Sequence, residues 1–184
     1  MNKEELKLCL ALEKKNNIGN IATWHVWFVR LTQYPSYLRW KYIKHFRKAL
    51  YYEKLLHRSK AKYIIPFLIE SRLRNLLGNK LGFEIVSCSI GPGLTIYHNG
   101  PVVINNNSKI GSNCRLHGDN CIGNDGINDA CPVIGDNVEI GVGAKIIGGV
   151  KIGNNIKIGA GAVVVSDFLQ DGSIIGGVPA RKIK

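Results

Sequence analysis

No apolar run in this chain is long enough to cross a bilayer. The longest patches, around Ile21–Leu31 and Tyr63–Ile69, are short and interrupted by polar residues. The opening, MNKEELKLCLALEKK, interleaves charge with apolar residues and lacks the continuous core of a signal peptide. Prolines number only 6 and hydrophobic residues make up 45%, which argues for a globular chain over a disordered one. The five cysteines (Cys9, Cys88, Cys114, Cys121, Cys131) are odd in number and scattered. They have neither CxxC nor Cys/His spacing, so neither a disulfide scaffold nor a structural metal is indicated. A reducing cytoplasm is the expected location, and no metal is expected.

Acidic residues are scarce at one end only. Residues 1–81 hold 17 Lys+Arg against 5 Asp+Glu, a net +12, whereas residues 82–184 hold 8 of each. A partner drawn by charge therefore meets the N-terminal segment. That segment reads as helical. Residues 3–15 form a short helix carrying Leu6, Leu8, Leu10 and Leu12, broken by Asn16, Asn17, Gly19 and Asn20. Residues 21–33 follow, with Trp24, Trp27 and Phe28 close together. Pro35-Ser36 starts a longer helix to about Arg58, with Trp40, Ile43, Phe46 and Leu50 on one face and Lys41, Lys44, Arg47 and Lys48 on the other. Residues 61–77 add another helix, blurred at Pro66 and stopped by Gly78-Asn79. One reading makes the aromatics core and the lysines solvated. The competing reading is peripheral attachment to an anionic inner leaflet. Nucleic-acid binding is not expected, since no recognised motif accompanies the charge.

What the second half has in abundance is a beat of six. Between Ile134 and Val164 a large aliphatic residue returns at Ile134, Ile140, Ile146, Ile152, Ile158 and Val164. Glycine follows at Gly135, Gly141, Gly153 and Gly159. A small or β-branched residue sits four places on, at Val138, Ala144, Val150, Ile156 and Ala162. This period fits neither a helix nor an alternating strand; it is the hexapeptide signature of a parallel β-helix. Three hexads close a triangular coil whose lumen the first residue fills. Upstream the beat continues through Ile90, Ile96, Ile104, Ile110, Leu116 and Ile122. It slips by two residues around YHNGPV and is broken by a loop, GNDGINDACPV, after Ile122. Interruptions of a scaffold are where chemistry collects. The predicted organisation is a helical segment over 1–82 and a β-helix over 83–184, mainly β overall. The coil is expected to end before IIGGVPARKIK, where a turn leads into a basic tail.

The hexads, YHNG, the loop and the terminal GGVPARKI together resemble the hexapeptide-repeat acyltransferases. The nearest likeness is to serine acetyltransferase and its relatives that acetylate sugars of bacterial surface polysaccharides. The resemblance implies a left-handed β-helix, acetyl transfer from acetyl-CoA to a hydroxyl, and a homotrimer with sites between neighbouring β-helices. His98 matches the family's general base. An imidazole can take the proton of an alcohol as it attacks a thioester. Three departures bear on the acceptor. Tyr97 replaces the aspartate associated with holding serine, and Cys131 replaces a second active-site histidine. The aspartate that orients the base falls on Phe83, with Glu84 one residue out of register. A sugar or other hydroxyl acceptor is therefore expected over L-serine; a catalytically silent trimer that binds polyanions is the alternative of another class.

His117 is the second catalytic candidate, expected one rung from Asn99 beside His98; an exposed histidine without a role is the competing reading. Tyr97, Asn99, Asp119, Asp125 and Cys131 are candidate acceptor-binding residues, although aspartates of such loops also serve turns. Asp129 shares that ambiguity. The resemblance places CoA along Gly141, Gly159, Ala160, Gly161 and Ala162, then Gly177, Val178, Pro179 and Ala180. Arg181, Lys182 and Lys184 suit its phosphates.

Overall fold

The structure is a computed structural model describing residues 2–19 and 23–184, with Thr23–Val26 described by backbone alone. It divides into two units, residues 1–81 and 82–184.

The first unit is helical, with α1 (Lys3–Ile18), α2 (Thr23–Leu31), α3 (Pro35–Leu56) and α4 (Lys60–Leu81). A capping box starts α1: Asn2 accepts from the Glu5 N–H at 2.9 Å, and Glu5 accepts from the Asn2 N–H at 2.8 Å. Asn16 and Asn17 do not break it. The Asn17 amide donates to the Glu13 carbonyl at 2.8 Å, and the helix ends at Gly19, whose φ is 76°. The predicted break at Asn20, the start of the second segment at 21–22 and the side chain of Trp24 lie outside the described residues. Pro35 opens α3 at its first turn, where its missing N–H is not needed.

Helix α4 runs through both Pro66 and Gly78, so the expected stop at Gly78-Asn79 is not used. Gly78 is buried on the row of α4 that carries Glu70 and Arg74, four residues apart each time. Tertiary packing overrides the low helix propensity of glycine there. Gly82, with φ 81°, follows the last residue of the helix. On α3, Trp40, Ile43 and Phe46 are core as expected. Arg47, expected on the solvated face, is instead buried and grips Glu13 of α1 through Nη2 at 2.6 Å and Nε at 3.0 Å. Paired in this way, the charges avoid the penalty of isolated burial. Trp27, Phe28 and Leu31 of α2 are exposed, as are Ile65, Leu68, Ile69 and Leu76 of α4. No described helix is long and apolar enough to cross a membrane.

The second unit winds in three-sided coils. The first coil holds β1 (Phe83–Ile85), β2 (Ser89–Ile90) and β3 (Thr95–Ile96). The second holds β4 (Val102–Ile104), β5 (Lys109–Ile110) and β6 (Arg115–Leu116). The third holds β7 (Asn120–Gly123), β8 (Val133–Ile134) and β9 (Glu139–Ile140), and the fourth β10 (Lys145–Ile147), β11 (Lys151–Ile152) and β12 (Lys157–Ile158). Then come β13 (Val163–Val164), β14 (Ile174–Gly177) and β15 (Ala180–Lys182). Parallel pairing stacks them into sheets β1-β4-β7-β10-β13, β11-β8-β5-β2 and β15-β14-β12-β9-β6-β3, in which only the β14–β15 pair is antiparallel.

The hexad rule accounts for this packing. Ile134, Ile140, Ile146, Ile152, Ile158 and Val164 point inward and are buried, as are Val138, Ala144, Val150, Ile156 and Ala162. Each such isoleucine stabilises the unit by about 1.5–3 kcal/mol relative to exposure. At one corner Asn113, Asn137 and Asn155 all take left-handed φ values of 56–57°, and their side chains bond in a ladder at 3.0 and 3.2 Å. Asparagine tolerates that conformation better than other side chains do. One expectation fails at the end of the chain. The coil is not left behind at Ile174: β14 pairs with β12, and β15 folds back antiparallel upon it, with Gly177 opposite Ala180.

Candidate active site

The site is built by a corner of altered length. Regular coils repeat every eighteen residues, as between Glu139 and Lys157. Between β3 and β6 the repeat is twenty, because the YHNG corner inserts two residues: Thr95 pairs with Arg115 and Ile96 with Leu116. The register therefore carries on to put His117 over Tyr97 and Gly118 over His98. This corrects the expectation that His117 stacks one rung from Asn99: it stacks on Tyr97. The Tyr97 and His117 rings lie 4.7 Å apart between centroids, tilted by 35°. A Cβ built on Gly118 would sit 3.3 Å from the His98 Cβ. Glycine there leaves the Cβ and carbonyl of His98 their space.

His98, Tyr97 and Asn99 are exposed, whereas His117 is half-buried. The Nε2 atom of His117 is 3.0 Å from Oε1 of Glu139. The other oxygen of Glu139 lies 3.6 Å from Nη1 of Arg115. Glu139 is a residue that sequence reasoning missed. It sits 22 positions from His117 along the chain, and only the coil register shows that β9 lies beside β6. Phe83, where the resemblance would put the orienting aspartate, is buried, while Glu84 is exposed on the opposite face of β1.

The remaining acceptor candidates divide. Asp119 is exposed on the same corner, with φ 52°, near Gly143 of the next rung. Asp125 is occupied in closing its own loop: it accepts from the N–H groups of Asn128 at 3.0 Å and Ile127 at 2.9 Å. The N–H groups of Asn128 and Ile127 hold its carboxyl below the usual carboxylate range. These contacts are the turn role expected of an aspartate in such a loop. Cys131 is half-buried at the far end of that loop, and Asp129 is exposed.

Along the corner above His117, the residues turn small. Gly141 and Gly159 continue the line of Tyr97 and His117, as the register of β9 and β12 requires. A Cβ at Gly141 would strike the Ala160 nitrogen at 2.6 Å. Ala160 and Gly161 are exposed and Ala162 is buried. Gly177, Val178 and Pro179 form an exposed turn, Ala180 is buried, and Arg181, Lys182 and Lys184 are exposed. Lys182 Nζ donates to Gln170 at 2.7 Å. Among the described residues no three metal-ligating side chains converge.

Residues 131–166 match the family model described as bacterial transferase hexapeptide (six repeats). The putative colanic acid biosynthesis acetyltransferase WcaB of Escherichia coli K12 is 41% identical over 102 residues, covering 54% of this chain and 62% of that protein. The chain thus spans less than two thirds of that relative's length. The serine acetyltransferase of Helicobacter pylori J99 is 35% identical over 120 residues, covering 64% of this chain and 70% of that protein. In fold, soybean serine acetyltransferase apoenzyme superposes with a TM-score of 0.73 at 24% identity, covering 98% of this chain and 70% of that one. These likenesses agree with the coil and with its left-handed β-helical class. The chain belongs to the hexapeptide-repeat acyltransferases of the serine acetyltransferase type.

Proposed function

We propose that this protein is an acetyl-CoA-dependent O-acetyltransferase whose acceptor is a sugar hydroxyl of a surface polysaccharide or its precursor. The observation that carries the reading is the pair of histidines, His98 and His117, on neighbouring rungs of one corner that continues into small residues. In this reading His98 takes the proton of the acceptor hydroxyl as its oxygen attacks the thioester carbonyl. The tetrahedral intermediate then collapses, the C–S bond breaks, and CoA leaves as its thiol with the proton that His98 returns. Such a base contributes about 10²–10⁴ in rate. Gly141, Gly159, Ala160 and Gly161 would let the pantetheine arm approach the backbone, because no long side chain stands in its way. Ala162, buried in the lumen, lies behind that wall and does not line it. Gly177, Val178 and Pro179 would continue that wall, with the buried Ala180 behind it and Arg181, Lys182 and Lys184 meeting the phosphates.

Tyr97, Asn99, Asp119 and Cys131 remain acceptor-side candidates. Tyr97 and Cys131 at the positions of the serine enzyme's acidic and second histidine residues favour a sugar over L-serine. The likeness to WcaB, named as a colanic acid biosynthesis acetyltransferase, agrees with this. L-Serine is the second reading, supported by the 35% identity to a serine acetyltransferase. The working form is proposed to be a homotrimer. The +12 charge of residues 1–81 and the exposed Trp27, Phe28 and Leu31 support contact with the inner face of an anionic membrane. Thiol release from acetyl-CoA is the test, with L-serine and a panel of hexoses, uronic acids and nucleotide sugars as acceptors. Release with a sugar supports the proposal, release with serine alone replaces it, and no release together with no CoA binding overturns acetyl transfer.

A further inference from the structure

The proposed base has no carboxylate at the expected upstream position, since Phe83 stands there, buried. A second carboxylate on this corner besides the exposed Asp119 is Glu139, and it addresses the other histidine. Its oxygens are divided between two partners: Oε1 lies 3.0 Å from His117 Nε2, and Oε2 lies 3.6 Å from Arg115 Nη1. Arg115 is directly opposite Glu139 in the β6–β9 pair, and Lys157 is opposite on the other side. A simple ladder of alternating charge would account for Arg115, Glu139 and Lys157. It does not account for the shorter, diagonal contact to His117, nor for the Tyr97 ring lying 4.7 Å from that imidazole on its other rung.

We propose that Glu139 is a positioning residue of the transfer site, fixing the His117 ring through Nε2 so that Nδ1 is the nitrogen offered to the acceptor. An ionised carboxylate can only accept a hydrogen bond, so the proton of a neutral His117 bonded to it resides on Nε2. The remaining nitrogen, Nδ1, then carries a lone pair and accepts from a hydroxyl or amide of the acceptor. The Tyr97 ring on one side and the Glu139 bond on the other restrict rotation of the imidazole. The two histidines acquire distinct tasks: His98 moves the proton, and His117 holds the acceptor against it. Neighbouring rungs are spaced at about 4.8 Å, which suits two groups addressing one polyhydroxylated ring. This role rests on the acetyl-transfer reading for its kinetic consequence, but the ring geometry does not.

The test has two arms on the full chain. In the first, 15N-labelled histidine NMR on the neutral ring identifies the His117 tautomer by comparison with His117→Ala. The wild type is expected to show Nε2–H, Glu139→Ala to lose that preference, and Arg115→Ala to keep it. In the second, acetyl-CoA and the acceptor that supports turnover are varied separately. Glu139→Ala is expected to lower kcat/KM for the acceptor by about tenfold, with KM for acetyl-CoA unchanged, as for loss of one hydrogen bond. Arg115→Ala, a partner in the exposed ladder, stays within about twofold. An Nδ1–H tautomer in the wild type, an unchanged spectrum in Glu139→Ala, or equal kinetic effects of the two variants overturns the proposal. Absence of turnover with every acceptor counts against acetyl transfer, while the NMR arm still decides the Glu139–His117 pair.

Discussion

Gly118 lies on the rung next to His98, so close that a Cβ on Gly118 would stand 3.3 Å from the Cβ of His98. Its φ of 102° is also one that side chains rarely adopt. Gly118→Ala should therefore act twice. Backbone strain lowers stability by about 1–3 kcal/mol, seen as a lower melting temperature. The displaced imidazole loses its alignment, and turnover falls about tenfold even where the variant is folded, since small misplacements of a reacting group are costly. Turnover per folded protein equal to wild type would show that His98 does not depend on this space.

Burial separates the thiols. Cys9, Cys88 and Cys114 are buried, while Cys121 and Cys131 are half-buried. Burial pushes the Cys114 thiol up to about 12, and nearby Arg115 counters only part of that. The thiolate is the reactive form, so Cys114 is inert at neutral pH. Titration of the native protein with a chromogenic disulfide is expected to modify Cys121 and Cys131 and to spare Cys114, with all five reacting after denaturation. Rapid modification of Cys114 in the native protein would contradict its place in the lumen.

His45 is expected to give the helical unit a pH dependence whose sign follows from its burial. Burial pushes its imidazole below the ordinary value, and its 2.6 Å contact with Glu70 offsets only part of that shift. Lys48 also meets Glu70, at 3.0 Å. The native state thus favours neutral His45, and the unfolded state binds the extra proton. The corresponding stability is present above the unfolded value near 6.5 and is lost as pH falls from there through the lowered native value. His45→Asn has no ring to titrate and should lose less stability than wild type between neutral and mildly acid pH. Equal losses in thermal melts would refute the assignment.

The lumen was legible in the sequence because its rule is local. Ile134 to Val164 repeats one side of a triangle, and each side asks the same of its first and fifth residues. The two-residue slip at YHNG was also visible, but its consequence was not. An eighteen-residue count from Asn99 reaches His117, whereas the longer corner moves the partner of His117 back to Tyr97. Glu139 was hidden for a similar reason: its contact with His117 depends on the loop between β7 and β8, which lengthens the intervening coil so that Leu116 meets Ile140. Gly78 misled through propensity, since burial keeps it helical. Arg47 misled through composition: its position among lysines gave no sign of Glu13, 34 residues earlier.

The central claim is that His98 removes the acceptor proton in acetyl transfer. The most direct measurement compares acetyl-CoA thiol release by wild type and His98→Ala with the acceptor that supports turnover, alongside CoA binding and oligomeric state. The account predicts a fall of about 10²–10⁴ in kcat, with CoA binding and assembly unchanged. A His98→Ala variant that turns over at nearly the wild-type rate would contradict it.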